Sequence, residues 1–258
     1  MSNYLNDRFG LSGRKALVTG AGRGIGKAIA LALAGAGAEV CVHFHTSRQP
    51  AEDTVSEIIN GGGKAWATPA DLTDSNQVRS LADQIGRRWN PLDILVNNAG
   101  DLVKRSQVAD LSDELLDRIL KINLSSLIYC TRACIALLKL GTSPCIVNLG
   151  SVAAHHGGGN GATFYAATKG AIHTLTRGLA KELAPGVRVN GIAPGVIMTD
   201  FHRRHSTDEL LKTFANGTPL KRLGTADEVA GAVVFLCSPA ASFITGEVIE
   251  INGGLWLA

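Results

Sequence analysis

Tyr165 and Lys169 stand four residues apart in the segment Tyr165-Ala166-Ala167-Thr168-Lys169, with Ser151 fourteen residues upstream. On a helix, that spacing places a phenol and an ammonium on one face, with Cβ atoms roughly 5–6 Å apart. A neighbouring positive charge favours the phenolate, so Lys169 is expected to lower the pKa of Tyr165 from its ordinary value near 10. A tyrosine brought toward working pH can give a proton to a carbonyl oxygen or take one from an alcohol. A third element of the chemistry lies near the N-terminus, in Thr19-Gly20-Ala21-Gly22-Arg23-Gly24-Ile25-Gly26. Glycines there permit a tight turn and let backbone N–H groups approach a pyrophosphate at the start of a helix. Together these residues point to an oxidoreductase that uses a dinucleotide.

Elements with a definite layout must hold such residues. Short apolar runs alternate with helix-length segments along nearly the whole chain. Strands are expected at 15–18, 40–44, 64–68, 94–96, 145–148, 187–190 and 248–251. Helices are expected near 26–33, 50–60, 75–88, 112–140, 163–183 and 226–237. The alternation predicts right-handed βαβ crossovers and an α/β fold of Rossmann type, a doubly wound parallel sheet of about seven strands with helices on both faces. Strands covered on both faces read as continuous apolar runs, as these do. No linker or repeat interrupts the 258 residues, so one domain spanning 1–258 is the expectation.

Composition sets the outer limits. Hydrophobic residues make up 45% and charged residues 18%, a globular balance. The net charge of +3 comes without a run of like charges, which argues against nucleic acid or a membrane surface as partner. No segment is expected to reach the ~18 apolar residues of a membrane span. The five cysteines (41, 130, 134, 145 and 237) lack zinc-ligand spacing and stand mostly in apolar runs. They read as buried free thiols of a cytoplasmic protein with no metal site. The second half of the 112–140 helix is apolar around most of its circumference, which predicts a homodimer or homotetramer.

The cofactor can be narrowed further. The spacing present is Gly20-x3-Gly24-x-Gly26, with Ile25 where the common dinucleotide pattern has its third glycine. An acidic residue about 20 residues on would bond an NAD ribose. The second strand ends instead in His45-Thr46-Ser47-Arg48. Arg23, His45, Ser47 and Arg48 suit the 2′-phosphate of NADP, so NADP(H) is expected in preference, with NAD(H) as the second candidate.

With these motifs in hand, the chain resembles a short-chain dehydrogenase/reductase of the compact single-domain type, over nearly its full length. The residues that carry the resemblance are Thr19–Gly26, Asp71-Leu72-Thr73, Asn97-Asn98-Ala99-Gly100, Asn123, Ser151, Tyr165-x3-Lys169 and Pro194-Gly195. The resemblance implies that Asp71 and Leu72 lie by the adenine and that Asn98, Ala99 and Gly100 border the cofactor. It further places Pro194, Gly195, Ile197 and Thr199 around the nicotinamide. It implies a catalytic set of Asn123, Ser151, Tyr165 and Lys169. In that set Ser151 would polarise a carbonyl oxygen, Tyr165 would carry the proton, and Lys169 would also bond the nicotinamide ribose. Asn123 would hold a water that links Lys169 to solvent.

Gly150-Ser151 departs from a pair of serines frequent in the family. The loop 152–161 would wall the substrate pocket, and 199–220 would form a lid whose basic stretch Phe201–His205 is expected as solvated charge on a surface helix, with attraction of an anionic substrate group as the alternative. The glycine-rich loop before Tyr165 is similar to that of 3-oxoacyl-acyl-carrier-protein reductases. The stretches 140–144 and 183–186, however, lack the basic residues that would receive an acidic carrier. The expected substrate is a small-molecule secondary alcohol or ketone. Oxoacyl thioesters, sugars and polyols remain alternatives, as does a non-catalytic NADP-sensing protein.

Overall fold

The computed structural model describes residues 4–257, with the side chains of His202, Arg203 and Arg204 outside the description. After a short helix α1 (Tyr4–Phe9) come β1 (Lys15–Val18), α2 (Gly24–Gly35), β2 (Glu39–Phe44), α3 (Arg48–Asn60), β3 (Lys64–Pro69) and α4 (Ser75–Arg88). The chain continues through β4 (Ile94–Asn97), α5 (Asp113–Leu120), α6 (Ser126–Leu138), β5 (Cys145–Leu149), α7 (Ala153–His156) and α8 (Thr163–Leu183). It ends with β6 (Arg188–Pro194), α9 (Asp200–His205), α10 (Asp208–Gly217), α11 (Ala226–Cys237) and β7 (Val248–Ile251).

All seven strands form one parallel sheet in the order β3-β2-β1-β4-β5-β6-β7. Period-two alternation divides each central strand between two cores. Ala16, Val18, Ile94, Val96 and Val147 face α2 and α11, where Ile29, Leu33, Val233 and Leu236 are buried. Leu17, Leu95 and Ile146 face the opposite way, toward Leu81, Ile85, Cys134 and Leu138 of α4 and α6. Two covered faces explain why the strands lack a polar alternation. The strand order reverses between β1 and β4, which leaves a crevice at the carboxyl ends of those strands.

Two expectations need correction. The long helix is α5 and α6 joined by a π-helical turn at Lys121–Ser125. The 26-residue span Asp113–Leu138 holds an 18-residue window with mean hydropathy 1.2, long and apolar enough by length and composition to cross a membrane. In the fold, however, Leu127, Cys130, Cys134 and Leu138 of that helix are buried in the core. The second correction concerns helices: α1, α7 and α10 were not expected from the sequence. The five cysteines are free and buried, as anticipated.

Candidate active site

The glycine turn shows why each glycine is present. Gly20 and Gly24 have φ of +64° and +56°, conformations that L side chains rarely adopt. Gly26 is required by space, since a Cβ there would lie 2.3 Å from the Gly20 carbonyl oxygen and 2.5 Å from Asn98 Nδ2. The Asn97–Gly100 segment braces this turn. Asn98 Nδ2 donates to the carbonyls of Thr19 (2.8 Å) and Gly20 (3.2 Å). Thr19 Oγ1 accepts from the N–H groups of Asn98 (2.9 Å) and Ala99 (3.0 Å). Beneath it, Asn97 Nδ2 donates to Asn148 Oδ1 at 2.9 Å, and Asn148 Nδ2 to Thr176 Oγ1 at 3.0 Å, a buried polar chain across the sheet.

Side-chain caps close the N-termini of α4, α5, α10 and α11, supplied by Asp74, Ser112, Thr207 and Thr225. Helix α2 has no such cap; its N-cap residue is Arg23. Its first N–H groups and dipole are therefore presented to the cleft, where they suit a diphosphate. A tight glycine cradle and an uncapped helix start at the crossover crevice fit a dinucleotide.

One cleft of about 510 Å³ runs along the carboxyl ends of the strands. Gly20, Arg23, Gly24, Ile25 and Gly26 line it after β1; His45 and Ser47 after β2; Asp71 and Leu72 after β3. Asn98, Ala99 and Gly100 line it after β4, Ser151 after β5, and Pro194, Gly195, Ile197 and Thr199 after β6. Tyr165 and Lys169 complete it from α8. Arg48 does not line the cleft: it pairs with Glu52 at 3.3 Å and lies over the Phe44 ring at 5.6 Å. Its position at the start of α3, i, i+4 from an acid, accounts for that direction.

Asp71 is held in a local turn, its Oδ1 accepting from Thr73 N–H and Oγ1 at 2.9 and 2.7 Å. Burial opposes its charge, but these hydrogen bonds and nearby His45 hold the carboxyl below its ordinary range. His43 was missed by the sequence reading. It is buried in β2, where Nδ1 accepts from Gly20 N–H at 3.1 Å and Nε2 donates to the Ala70 carbonyl at 3.0 Å. Burial pushes its pKa down to about 4, so it is a neutral tie between the glycine turn and the end of β3. The signal available was a histidine inside an apolar strand.

The proton-transfer groups meet on the other side of the cleft. Lys169 is buried, donates from Nζ to the Leu149 carbonyl at 2.6 Å, and lies 5.6 Å from the Tyr165 ring centroid. The shared helical face is therefore present, but the expected acidification of Tyr165 is not. Burial pushes that phenol up to about 12, in opposition to its hydrogen bond with Ser151, and the negative charge of Asp101 acts in the same direction as burial. Burial also brings Lys169 down to about 8. The cause is desolvation of the phenol, while the ammonium is spent on the Leu149 carbonyl rather than on the phenol.

Asn123 sits in the π turn and clamps the neighbouring loop. Its Nδ2 donates to the carbonyls of Asp101 (2.7 Å) and Ile119 (3.0 Å), and its Oδ1 accepts from Asp101 N–H (3.1 Å). Widened turns of this type recur at functional sites. A Cβ on Gly100 would lie 2.8 Å from Asn123 Oδ1 and 3.5 Å from Lys169 Nζ, so all three converge.

The Gly150 departure now has a reason. A Cβ there would lie 2.3 Å from Nε2 of His173, a buried residue of α8 that fills the space of a serine side chain. The paired loop histidines diverge. His155 bonds Glu250 at 2.7 Å and stacks on Trp256, with centroids 5.2 Å apart, whereas His156 lines the cleft. In the segment 199–220, the Phe201 ring lies 6.1 Å from that of Tyr165. His205 Nε2 is 3.1 Å from Asp101 Oδ1. The side chains at 202–204, in the basic stretch of that segment, lie outside the described residues.

A parallel sheet in this order with a serine, tyrosine and lysine at its crossover crevice defines a dinucleotide-dependent oxidoreductase fold. A family model described as enoyl-(acyl carrier protein) reductase matches residues 20–256. The chain is 40% identical over 243 residues to the uncharacterized oxidoreductase YgfF of Escherichia coli, covering 93% of this chain and 98% of that protein. It is 36% identical over 245 residues to the 3-oxoacyl-[acyl-carrier-protein] reductase FabG of Staphylococcus aureus, covering 95% and 98%. A solved short-chain dehydrogenase of Burkholderia cenocepacia in complex with NADP superposes with a TM-score of 0.86 at 35% identity, covering 95% of this chain and 98% of that one. The chain belongs to the short-chain dehydrogenase/reductase family, whose members are NAD(P)-binding oxidoreductases.

Proposed function

We propose that the protein is an NADP(H)-dependent oxidoreductase that interconverts a secondary alcohol and a ketone, with Asn123, Ser151, Tyr165 and Lys169 as its working residues. The observation that carries this reading is the meeting of Ser151, Tyr165 and Lys169 in one cleft with the glycine cradle. The nicotinamide, when bound, supplies or accepts the hydride. Ser151 donates a hydrogen bond to the substrate oxygen as negative charge grows there. Tyr165, neutral at physiological pH, gives its proton to that oxygen. An alkoxide is a far stronger base than a phenolate, so the transfer runs downhill. Lys169 holds the end of β5 through Leu149 and keeps positive charge beside the phenol. Asn123 fixes the loop that carries Gly100 and Asp101.

Preference for NADP(H) is supported by Arg23, His45 and Ser47 on the cleft wall and by the absence of a carboxylate in the segment 45–48. NADPH should exceed NADH in kcat/KM by at least about tenfold, and Arg23→Ala should erode that ratio by a similar factor, since one charge-assisted phosphate contact has that worth. Equal use of both cofactors, or preference for NADH, contradicts the assignment.

A second reading, reduction of 3-oxoacyl thioesters, is favoured by the likeness to FabG; the lack of lysine and arginine in 140–144 and 183–186 weighs against a carrier protein as partner. The 199–220 segment acts in this proposal as the lid, over one dinucleotide-binding domain. Assembly into a dimer or tetramer in the cytoplasm completes it, and light scattering that finds only monomer at micromolar concentration would remove that part.

A further inference from the structure

Arg105 lies where the active-site cleft meets a second cavity. It lines both, as does Asn160. The second cavity, about 570 Å³, is bordered mainly by cationic and neutral polar residues: Lys104, Ser106, Gln107 and Ser112, with Asp110 as its one acid. Arg105 is partly buried, and among the described residues no carboxylate lies within ion-pair distance of it. Asp101, the acid four residues before it, is engaged with His205 at 3.1 Å. The Asp200 carboxylate and the His156 imidazole also lie on the cleft wall.

The guanidinium is held in place by carbonyl oxygens. Nε and Nη2 donate to His205 at 3.3 Å each, and Nη1 donates to Asn160 at 3.0 Å. Those contacts use three of the five N–H donors that an arginine presents, and they leave its charge unneutralised. Its backbone is set by an unusual turn. Val103 has φ +65°, and Lys104 N–H donates to the Leu102 carbonyl at 2.8 Å, a three-residue turn that is rare and costly for a β-branched side chain. Ser106 N–H donates to the Gly161 carbonyl at 3.0 Å, and a Cβ on Gly161 would crowd Ser106 N at 2.9 Å and Arg105 Cβ at 3.2 Å. The strained loop and the glycine loop before Tyr165 are thus packed together with Arg105 at their seam.

A fixed, half-buried cation at the neck of a reaction cleft has one evident use. We propose that Arg105 recognises an anionic group on the substrate, so that the alcohol or ketone taken up carries a carboxylate or phosphate a few carbons from the reacting one. This rests on the oxidoreductase reading and names its substrate class. Arg105 already ties the lid end at His205 and the loop at Asn160 to one point, so an anion bound there sits where the walls of the cleft meet.

The test uses two matched pairs with the full chain and NADPH: levulinate against methyl levulinate, and dihydroxyacetone phosphate against dihydroxyacetone. Each pair is read by kcat/KM and by thermal shift of the NADPH complex. The wild type should favour the anionic member of at least one pair by about tenfold or more, the worth of a charge-assisted hydrogen bond. The pair that responds tells carboxylate from phosphate. Arg105→Met should bring that selectivity close to unity, and Arg105→Lys should keep part of it. A purely structural role for Arg105 would lower both members of a pair together and leave the ratio unchanged. An unchanged ratio, or a wild type with no anionic preference in either pair, overturns the proposal. Selective, Arg105-dependent binding without turnover of any of the four compounds supports the anion site and instead counts against the oxidoreductase reading.

Discussion

At the level of single residues, Gly150 and His173 form a coupled pair that neither position reveals alone. Gly150→Ser should destabilise the protein by about 1–3 kcal/mol, the usual cost of overpacking, because the new side chain meets His173 Nε2 and the Ile192 carbonyl. Combining it with His173→Ala should recover much of that loss, and a double-mutant cycle in urea measures the coupling. Additive effects would show that the two side chains do not compete for one space. Tyr165 and Lys169 carry a different lesson. Their spacing located them correctly on one helical face, yet the sign of the tyrosine shift was wrong. Helical geometry is written in residue spacing, whereas the tyrosine's shift is set by its burial, the Ser151 hydrogen bond and the Asp101 charge, which come from other places in the fold.

At the level of elements, the site depends on how strand ends are tied together. His43 joins the β1 turn to the end of β3 only while it is neutral. Its folded pKa, about 4, lies below the unfolded value near 6.5. Between those values the unfolded chain binds more protons than the folded one, so stability falls as pH drops from about 6.5 to 4. The loss traceable to His43 should reach ~3 kcal/mol at the acid end. His173, brought to a similar value by burial, adds to it in the same window. Urea midpoints across this range should fall less steeply in His43→Gln than in the wild type; parallel curves would remove His43 as a cause. The long helix shows the same dependence on context. Its apolar periodicity was readable, but the π turn at Asn123 arises from hydrogen bonds to Asp101 and Ile119, and the first of these partners lies outside the helix.

For the whole molecule, the order of elements and the sheet were readable because a strand buried on both faces has no other pattern. The boundaries were less so. Strand β6, expected at 187–190, runs on through Gly191 to Pro194 because it is hydrogen-bonded to both β5 and β7. The cofactor side of the cleft was legible in its glycines. The substrate side was legible in part, since the loop before Tyr165 and the segment 199–220 both line the cleft, but Arg105 joins them only after the chain has folded. The account therefore stands most directly on Tyr165 as the proton donor in a working cleft. Single-turnover oxidation of NADPH by a ketone substrate should be about a hundredfold slower or more in Tyr165→Phe, the usual worth of a positioned general acid. NADPH affinity, read by nicotinamide fluorescence, should change by less than about threefold, since the lost hydroxyl is assigned to proton transfer and not to holding the cofactor. A Tyr165→Phe enzyme that turns over at a rate near the wild type would contradict the central claim.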